Sequence, residues 1–483
     1  MQNHQKPKRS FKVFAILIAI TLLGLQFYVL MLKDITALGS DEWNWLPLVR
    51  DGFKGEFSFK DYWDAHGGHR VFGYKILLTL NAMFLDLDLR YFQYGGVILW
   101  TIGALIASFW LNKKLEFGHV AFTICAALMI VTTLISPHAW TNSEYSVIAW
   151  RFGNILGFML IFIVSDKLIY EKEDRKNFIR FSLLVFIYTL IFGRGWGQAM
   201  LYSALFFLII GAIVQFKLKD LRKLRWLAAA IFVGFFAIFI YNLGGENLVA
   251  KAKEPISLRG FYNFTTGLMG NTLGFDFIGR KNFESRSVIQ LLGLFSISIY
   301  AIACLLYLRS GLYKKTAFPL MIMAFSTVAI LAAYYGRGLS IGEKAAYYPR
   351  WVGESCLGLA GALAILFHAR YDFTQRINSK NLKTLSSAVL LILSGGIFYT
   401  HGFAVKESIR TAVYVHKFDE NLLEATFSKP LDVFVMDKSL RSKSLCRTPE
   451  RCELRQILDE HDLIPGSDRY RPKDKEPASP LDQ

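Results

Sequence analysis

The sequence predicts an all-α, polytopic membrane protein with about eleven transmembrane helices, and three observations carry that fold class. The 483 residues are 53% hydrophobic and 15% aromatic, with a mean hydropathy of +0.33, more apolar surface than a soluble chain of ordinary composition carries. Apolar runs of membrane-crossing length recur from end to end. Finally, the basic residues behind the formal net charge of +17 cluster in short connections between those runs, a topology signal rather than a nucleic-acid footprint. No nucleic-acid partner is expected.

The first run follows "MQNHQKPKRSFK" and lasts roughly 20 residues, longer than a signal-peptide core and without a convincing cleavage site after it. It reads as an uncleaved anchor. Candidate spans lie near 12–32, 93–111, 118–136, 147–170, 178–193, 198–216, 226–243, 288–308, 316–336, 352–368 and 385–402. The connections "KPKRSFK", "NKK", "EKEDRK", "KLKDLRKLR", "RSGLYKK" and "ARYDFTQRINSKNLK" then share one side, which the Lys/Arg bias makes cytoplasmic. "VFGYKILLTLNAMFL", residues 71–85, is short and contains Lys75. Spanning there would turn every later basic connection outward, so this stretch is expected to lie as an interfacial helix on the outer leaflet.

Three regions follow from that topology: a transmembrane domain over 1–402 with a long first periplasmic loop at 33–92, a periplasmic C-terminal segment at 403–465, and a disordered Pro-rich tail at 466–483. Cys446 and Cys452 are the cysteines outside the spans, and an oxidising compartment favours a bridge between them. The alternative is two unpaired thiols in a cytoplasmic tail.

The outward connections concentrate charge. Arg70, Arg151, Arg194, Arg337 and Arg350 all fall at or near outer helix ends, where a guanidinium needs a partner. The planar fork matches phosphate oxygens in pairs, and "GRG" at 193–195 and 336–338 lets a head group approach the backbone closely. The competing reading for any one arginine is a side chain that snorkels to lipid head groups.

Asp41 and Glu42 sit directly after the first span among Trp43, Trp45, Tyr62 and Trp63, read as an aromatic belt at the mouth. A carboxylate shielded there can act as general base toward a sugar hydroxyl; the alternative is a solvated rim acid. "DYWDAHGGHR" adds Asp64, His66 and His69, suited to hydrogen bonds with sugar or phosphate. A zinc or manganese site on the two histidines and Asp64 is the other reading, and the Gly-Gly between the histidines counts against the regular helix it needs. His138, Asn142 and Glu144, on "PHAWTNSEYSVIAWR", are suited to sugar hydroxyls or to capping a helix. No cofactor is expected.

A long apolar first helix, an acidic pair directly after it, a loop running into an interfacial helix and about eleven spans resemble the GT-C superfamily of polyprenyl-phosphate-sugar-dependent glycosyltransferases, with "DEW" at 41–43 as the residue-level match. "FSFKDYWDAHGGHRVFGYKIL" looks like the His-Asn-Glu-His-Arg loop of a group of bacterial GT-C-like membrane proteins, and "GRGLSIGEKAAYYPRW" looks like the late Gly-Arg to Arg-Tyr segment of that group. Here the loop reads His-Gly-Gly-His-Arg, and Tyr-Tyr-Pro-Arg-Trp stands in place of Arg-Tyr. Length and basic start are similar to serotype-converting O-antigen glucosyltransferases. The resemblance implies a bacterial inner-membrane enzyme with a glucosyl or related donor on undecaprenyl phosphate and a lipid-linked or lipopolysaccharide glycan as acceptor.

On that expectation Asp41 or Glu42 is the base, while Arg70, Arg194, Arg337 and Arg350 hold the donor phosphate. Rival readings are an O-antigen polymerase or ligase, which would place its basic residues in a large late loop, and a lipid-linked-sugar flippase, which would carry charge near helix midplanes.

Overall fold

The structure is a computed structural model that describes residues 5–33, 37–38, 40–64, 71–142, 153–191, 195–243, 257–278, 286–338, 346, 352–376, 379–429, 431–436, 439, 452–461, 463–465 and 467. Every element among them is helical. Among the described residues nine helices are long and apolar enough to cross a membrane, so the chain is a multi-pass membrane protein. These are α1 (Gln5–Lys33), then, after the short α2 (Ser40–Trp43), α3 (Leu46–Phe53), α4 (Phe59–Trp63) and α5 (Phe72–Leu85), the long α6 (Arg90–Lys114) and α7 (Val120–Leu134), α8 (Ile155–Tyr170) and, past α9 (Asp174–Val185), α10 (Gly195–Lys217) and α11 (Leu221–Asn242). Beyond α12 (Leu258–Ile278) come α13 (Arg286–Arg309), α14 (Phe318–Ala333), α15 (Val352–Arg376), α16 (Lys380–Phe427), α17 (Leu431–Met436) and α18 (Arg455–Glu460). Of this later group α13, α15 and α16 are candidate spans, whereas α14 and α5 are apolar but shorter.

Two of the shorter elements end alike. Helix α9 continues as a π-helical segment, Phe186–Ile191, and α14 continues as another, Tyr334–Gly338. The first ends at Ile191, two positions before Gly193 of one "GRG" tripeptide, and the second contains the other; such turns frequently occur at functional sites.

The basic connections meet at one end of the bundle. There Asn112 donates to the Lys8 carbonyl, the Lys223 ammonium donates to the Glu171 carbonyl, and Arg370 donates to the Ser387 hydroxyl. The centre of this end is Asp166, fully buried near the end of α8. It accepts from the Ala317 N–H at 2.7 Å, from Thr316 Oγ1 and from Trp110 Nε1, with Lys114 Nζ 3.8 Å away. One carboxylate therefore joins α6, α8 and the start of α14, where Pro319 occupies the first turn and needs no N–H partner.

The stretch that the candidate spans at 226–243 and 288–308 leave as an outer connection contains a 21-residue helix, α12, where the sequence reading has a loop. Its run "NFTTGLMGNTL" is too polar to read as a span but too apolar for a solvated loop, and tertiary packing resolves it. Phe264, Leu268, Met269, Asn271 and Thr272 are buried. A Cβ at Gly270 would overlap the Ile289 carbonyl, and one at Gly293 would overlap the Thr266 carbonyl, so α12 and α13 touch backbone to backbone through small residues.

Helix α16 runs unbroken for 48 residues through position 402, where the sequence placed the boundary between membrane and C-terminal regions. At 1.5 Å per residue it is about 72 Å long, more than twice the ~30 Å hydrocarbon core. Its far half joins a second hydrophobic core: Trp43, Trp45, Leu46, Val49, Tyr74 and Leu78 from the first loop pack with Leu423, Phe427, Phe434, Cys452, Leu458 and Ile464 from the C-terminal segment. The Ile464 N–H donates to the Asp86 carbonyl at 2.7 Å, and the Phe53 and His461 rings stack 3.8 Å apart. The first loop and the C-terminal segment thus form one cap.

Candidate functional site

The cap is organised by α5, the helix that sequence reasoning made interfacial. It is a 14-residue helix whose chain leaves through a left-handed residue, Asp86, at φ 53°. Its buried face carries Tyr74, Lys75 and Thr79, and each ties down another piece. The Tyr74 hydroxyl donates to Glu42 Oε1 at 3.1 Å. The Lys75 ammonium donates to the carbonyls of Asp61 and Asp64 at 2.8 and 2.9 Å. Thr79 meets the Tyr62 hydroxyl at 2.9 Å, and burial holds Tyr62 above the ordinary tyrosine range, so it stays protonated across neutral pH.

Glu42 is therefore a buried acid, 4% exposed, on a one-turn helix directly after the first span. Asp41 occupies the same turn. Its neighbours correct one expectation: Trp43 and Trp45 are core residues, 1% and 4% exposed, not a belt facing lipid. The Trp45 ring meets Tyr74 edge-on at 5.4 Å, so the indoles wall the acid rather than anchor the mouth. Trp63 stacks with Phe59 and meets Phe72 instead.

Asp64 caps the C-terminal end of α4 and its side chain is exposed. The segment carrying His66, His69 and Arg70 lies outside the described residues, as do Glu144, Arg151, Arg194, Arg350 and Cys446. The zinc or manganese alternative rests on His66 and His69 and so lies outside the described residues as well. The flanks of that segment are held: Asp64 through Lys75, and Val71, buried, beside the start of α5.

Arg337 lies in the π-helical turn after α14. That turn is positioned by Tyr334, whose hydroxyl donates to the Ser257 carbonyl at 3.2 Å and whose ring packs on Phe264 of α12. Asn271 of α12 in turn donates to the Ala346 carbonyl at 2.8 Å. Asn142 ends the short 3-10 turn Pro137–Asn142.

His138 is the second residue of that same turn and is fully buried, its ring 5.1 Å from that of His401. His401 also meets Ser136 Oγ at 3.3 Å and the Ile397 carbonyl at 2.7 Å. His138 thus belongs to an internal polar seam between α16 and the end of α7, not to the surface of the cap. Cys452 is disulfide-bonded, while Cys125, Cys304 and Cys356 are free.

Sequence reasoning missed Tyr74. A tyrosine inside an apolar helix reads as packing, and only its bond to Glu42 marks it. Lys75, in contrast, stood out as a charge in an apolar run.

Comparison with protein-family models, with curated proteins and with solved structures returns no match, so a functional reading rests on the residues themselves.

Proposed function

We propose that this chain is a membrane glycosyltransferase of the GT-C type. It moves a sugar, glucosyl or related, from undecaprenyl phosphate to a lipid-linked glycan such as O-antigen on the periplasmic face of a bacterial inner membrane. The observation that carries the reading is Glu42, a buried carboxylate held by Tyr74 where the chain leaves its first span. A carboxylate in a fixed orientation, with few competing waters, is suited to take a proton from an acceptor hydroxyl. Its turn partner Asp41 is the alternative base.

The hydroxyl oxygen then attacks the anomeric carbon as the polyprenyl phosphate departs in line, and a single displacement inverts the centre. The charge growing on the leaving phosphate needs preorganised cations. Arg337 is the candidate on a described turn, and Arg70, Arg194 and Arg350 complete the proposed set. The basic end of the bundle is cytoplasmic on this reading, which puts the cap and both chain segments that build it in the periplasm.

The test is transfer from a polyprenyl-phosphate sugar to glycan in membranes carrying Glu42→Gln or Asp41→Asn. One of the two should lower turnover about a hundredfold or more, the scale of a positioned general base, with expression unchanged. Near-native transfer by both variants would remove these carboxylates from the mechanism.

A further inference from the structure

A cavity of about 910 Å³ opens at the basic end, far from the cap, between α1, the α6–α7 connection, α15 and the start of α16. Its size is that of a small-molecule site, and its lining is chemically uneven. Lys8, Arg370 and Lys383 supply three cations, while Leu115, Phe117 and Val120 supply apolar wall. The lining also holds one acid, Glu116. Among the described residues no carboxylate pairs with any of the three cations.

Arg370 is set in place before any ligand arrives. Its guanidinium lies 3.5 Å from the centre of the Phe122 ring, a cation–π arrangement that fixes its plane. Nε and Nη2 donate to Ser387 Oγ at 3.1 and 2.8 Å. The remaining nitrogen, Nη1, faces Gly118, whose φ of +90° keeps that position free of a side chain. The result is a planar donor on an aromatic shelf, with a lysine from each of two other helices lining the same space.

We propose that this cavity binds the phosphate-bearing head group of an anionic lipid from the leaflet at the basic end. Three cations that pair with no carboxylate among the described residues call for an anion, and Arg370 presents Nη1, which the Ser387 contact does not use, to a phosphate oxygen. Apolar wall beside them suits the glycerol and first acyl carbons. Basic pockets between membrane helices on this side bind such head groups generally.

The full-length protein would be placed in phosphatidylcholine nanodiscs with and without phosphatidylglycerol, and lipid retention read by native mass spectrometry. Phosphatidylglycerol should be retained selectively. The double variant Lys8→Gln, Lys383→Gln, which leaves the Arg370 shelf intact, should retain it about tenfold less or worse, as should Arg370→Gln, while Lys54→Gln in the cap should change nothing. Displacement by millimolar inorganic phosphate would keep the phosphate chemistry but overturn the lipid as its source. Equal retention of phosphatidylcholine, or undiminished retention by the double variant, would overturn the site itself.

Discussion

At the scale of single residues, the buried charges divide by whether they have a full set of partners. Asp166 does: two side-chain donors, a backbone N–H and Lys114 surround it. Replacing it with Ala leaves three donors without their acceptor in a buried place and Lys114 with Glu171, 3.7 Å away, as its remaining acid, and such a loss typically costs about 3–5 kcal/mol. Asp166→Ala should therefore lower the melting temperature of the purified protein sharply, and a shift of only a degree or two would show that the network contributes little. Tyr74 makes a subtler test. Tyr74→Phe keeps the ring packing but removes one hydrogen bond to Glu42, worth about 1.5–3 kcal/mol for a charged acceptor. On the proposed mechanism transfer should fall roughly tenfold or more while protein levels hold, because the loss of a fixed orientation acts on the base and not on the fold. Unchanged transfer would leave Tyr74 a packing residue.

At the scale of elements, the junction between α1 and α16 is the one most exposed to experiment. Lys33, in the last turn of α1, pairs with Asp419 at 3.2 Å, and both side chains are almost wholly buried. His416 adds a hydrogen bond to the Lys33 carbonyl. These contacts fasten the far half of α16 to the first span. Lys33→Met or Asp419→Leu alone leaves an uncompensated buried charge and should destabilise by about 3–5 kcal/mol, whereas the double variant should recover most of that loss. Additive losses in thermal unfolding would mean the pair is not coupled. The α12–α13 contact predicts a second element-scale result: Gly293→Leu should separate the two helices and displace the π-helical turn through Tyr334, so accumulation of folded protein should fall.

At the scale of the whole molecule, the topology reading and the cap stand together. The basic ends of the long helices gather on one side, and on the proposed topology an odd number of crossings from α1 to α16 puts the chain termini on opposite sides. A reporter fused after Gln483 should therefore be active in the periplasm when the N-terminus is cytoplasmic, and a cytoplasmic signal would reverse the orientation. Because the first loop and the C-terminal segment share one hydrophobic core, deleting residues after 428 should expose Trp43, Trp45 and Leu46 and make the first loop protease-sensitive. A loop that stays resistant would show that it folds without its partner.

The helical class, the multi-pass character and the clustering of basic residues at one end were legible in the sequence, because burial in lipid demands long uncharged runs and leaves Lys and Arg at their ends. Glu42 was legible as a candidate for the same reason: an acid beside a span is an exception to that rule. What the sequence could not show is which distant pieces complete each other's cores. Trp43 and Trp45 read as lipid-facing anchors since a local pattern cannot distinguish a ring packed on lipid from one packed on Leu423 and Phe427, which lie almost four hundred residues away. The same limit hid α12, a helix too polar to declare itself a span and stabilised by close approach to α13, and the continuation of α16 beyond the membrane, whose polar outer turns are held by Lys33. Only the tertiary structure decided those points, because each depends on long-range burial rather than on the periodicity of its own segment.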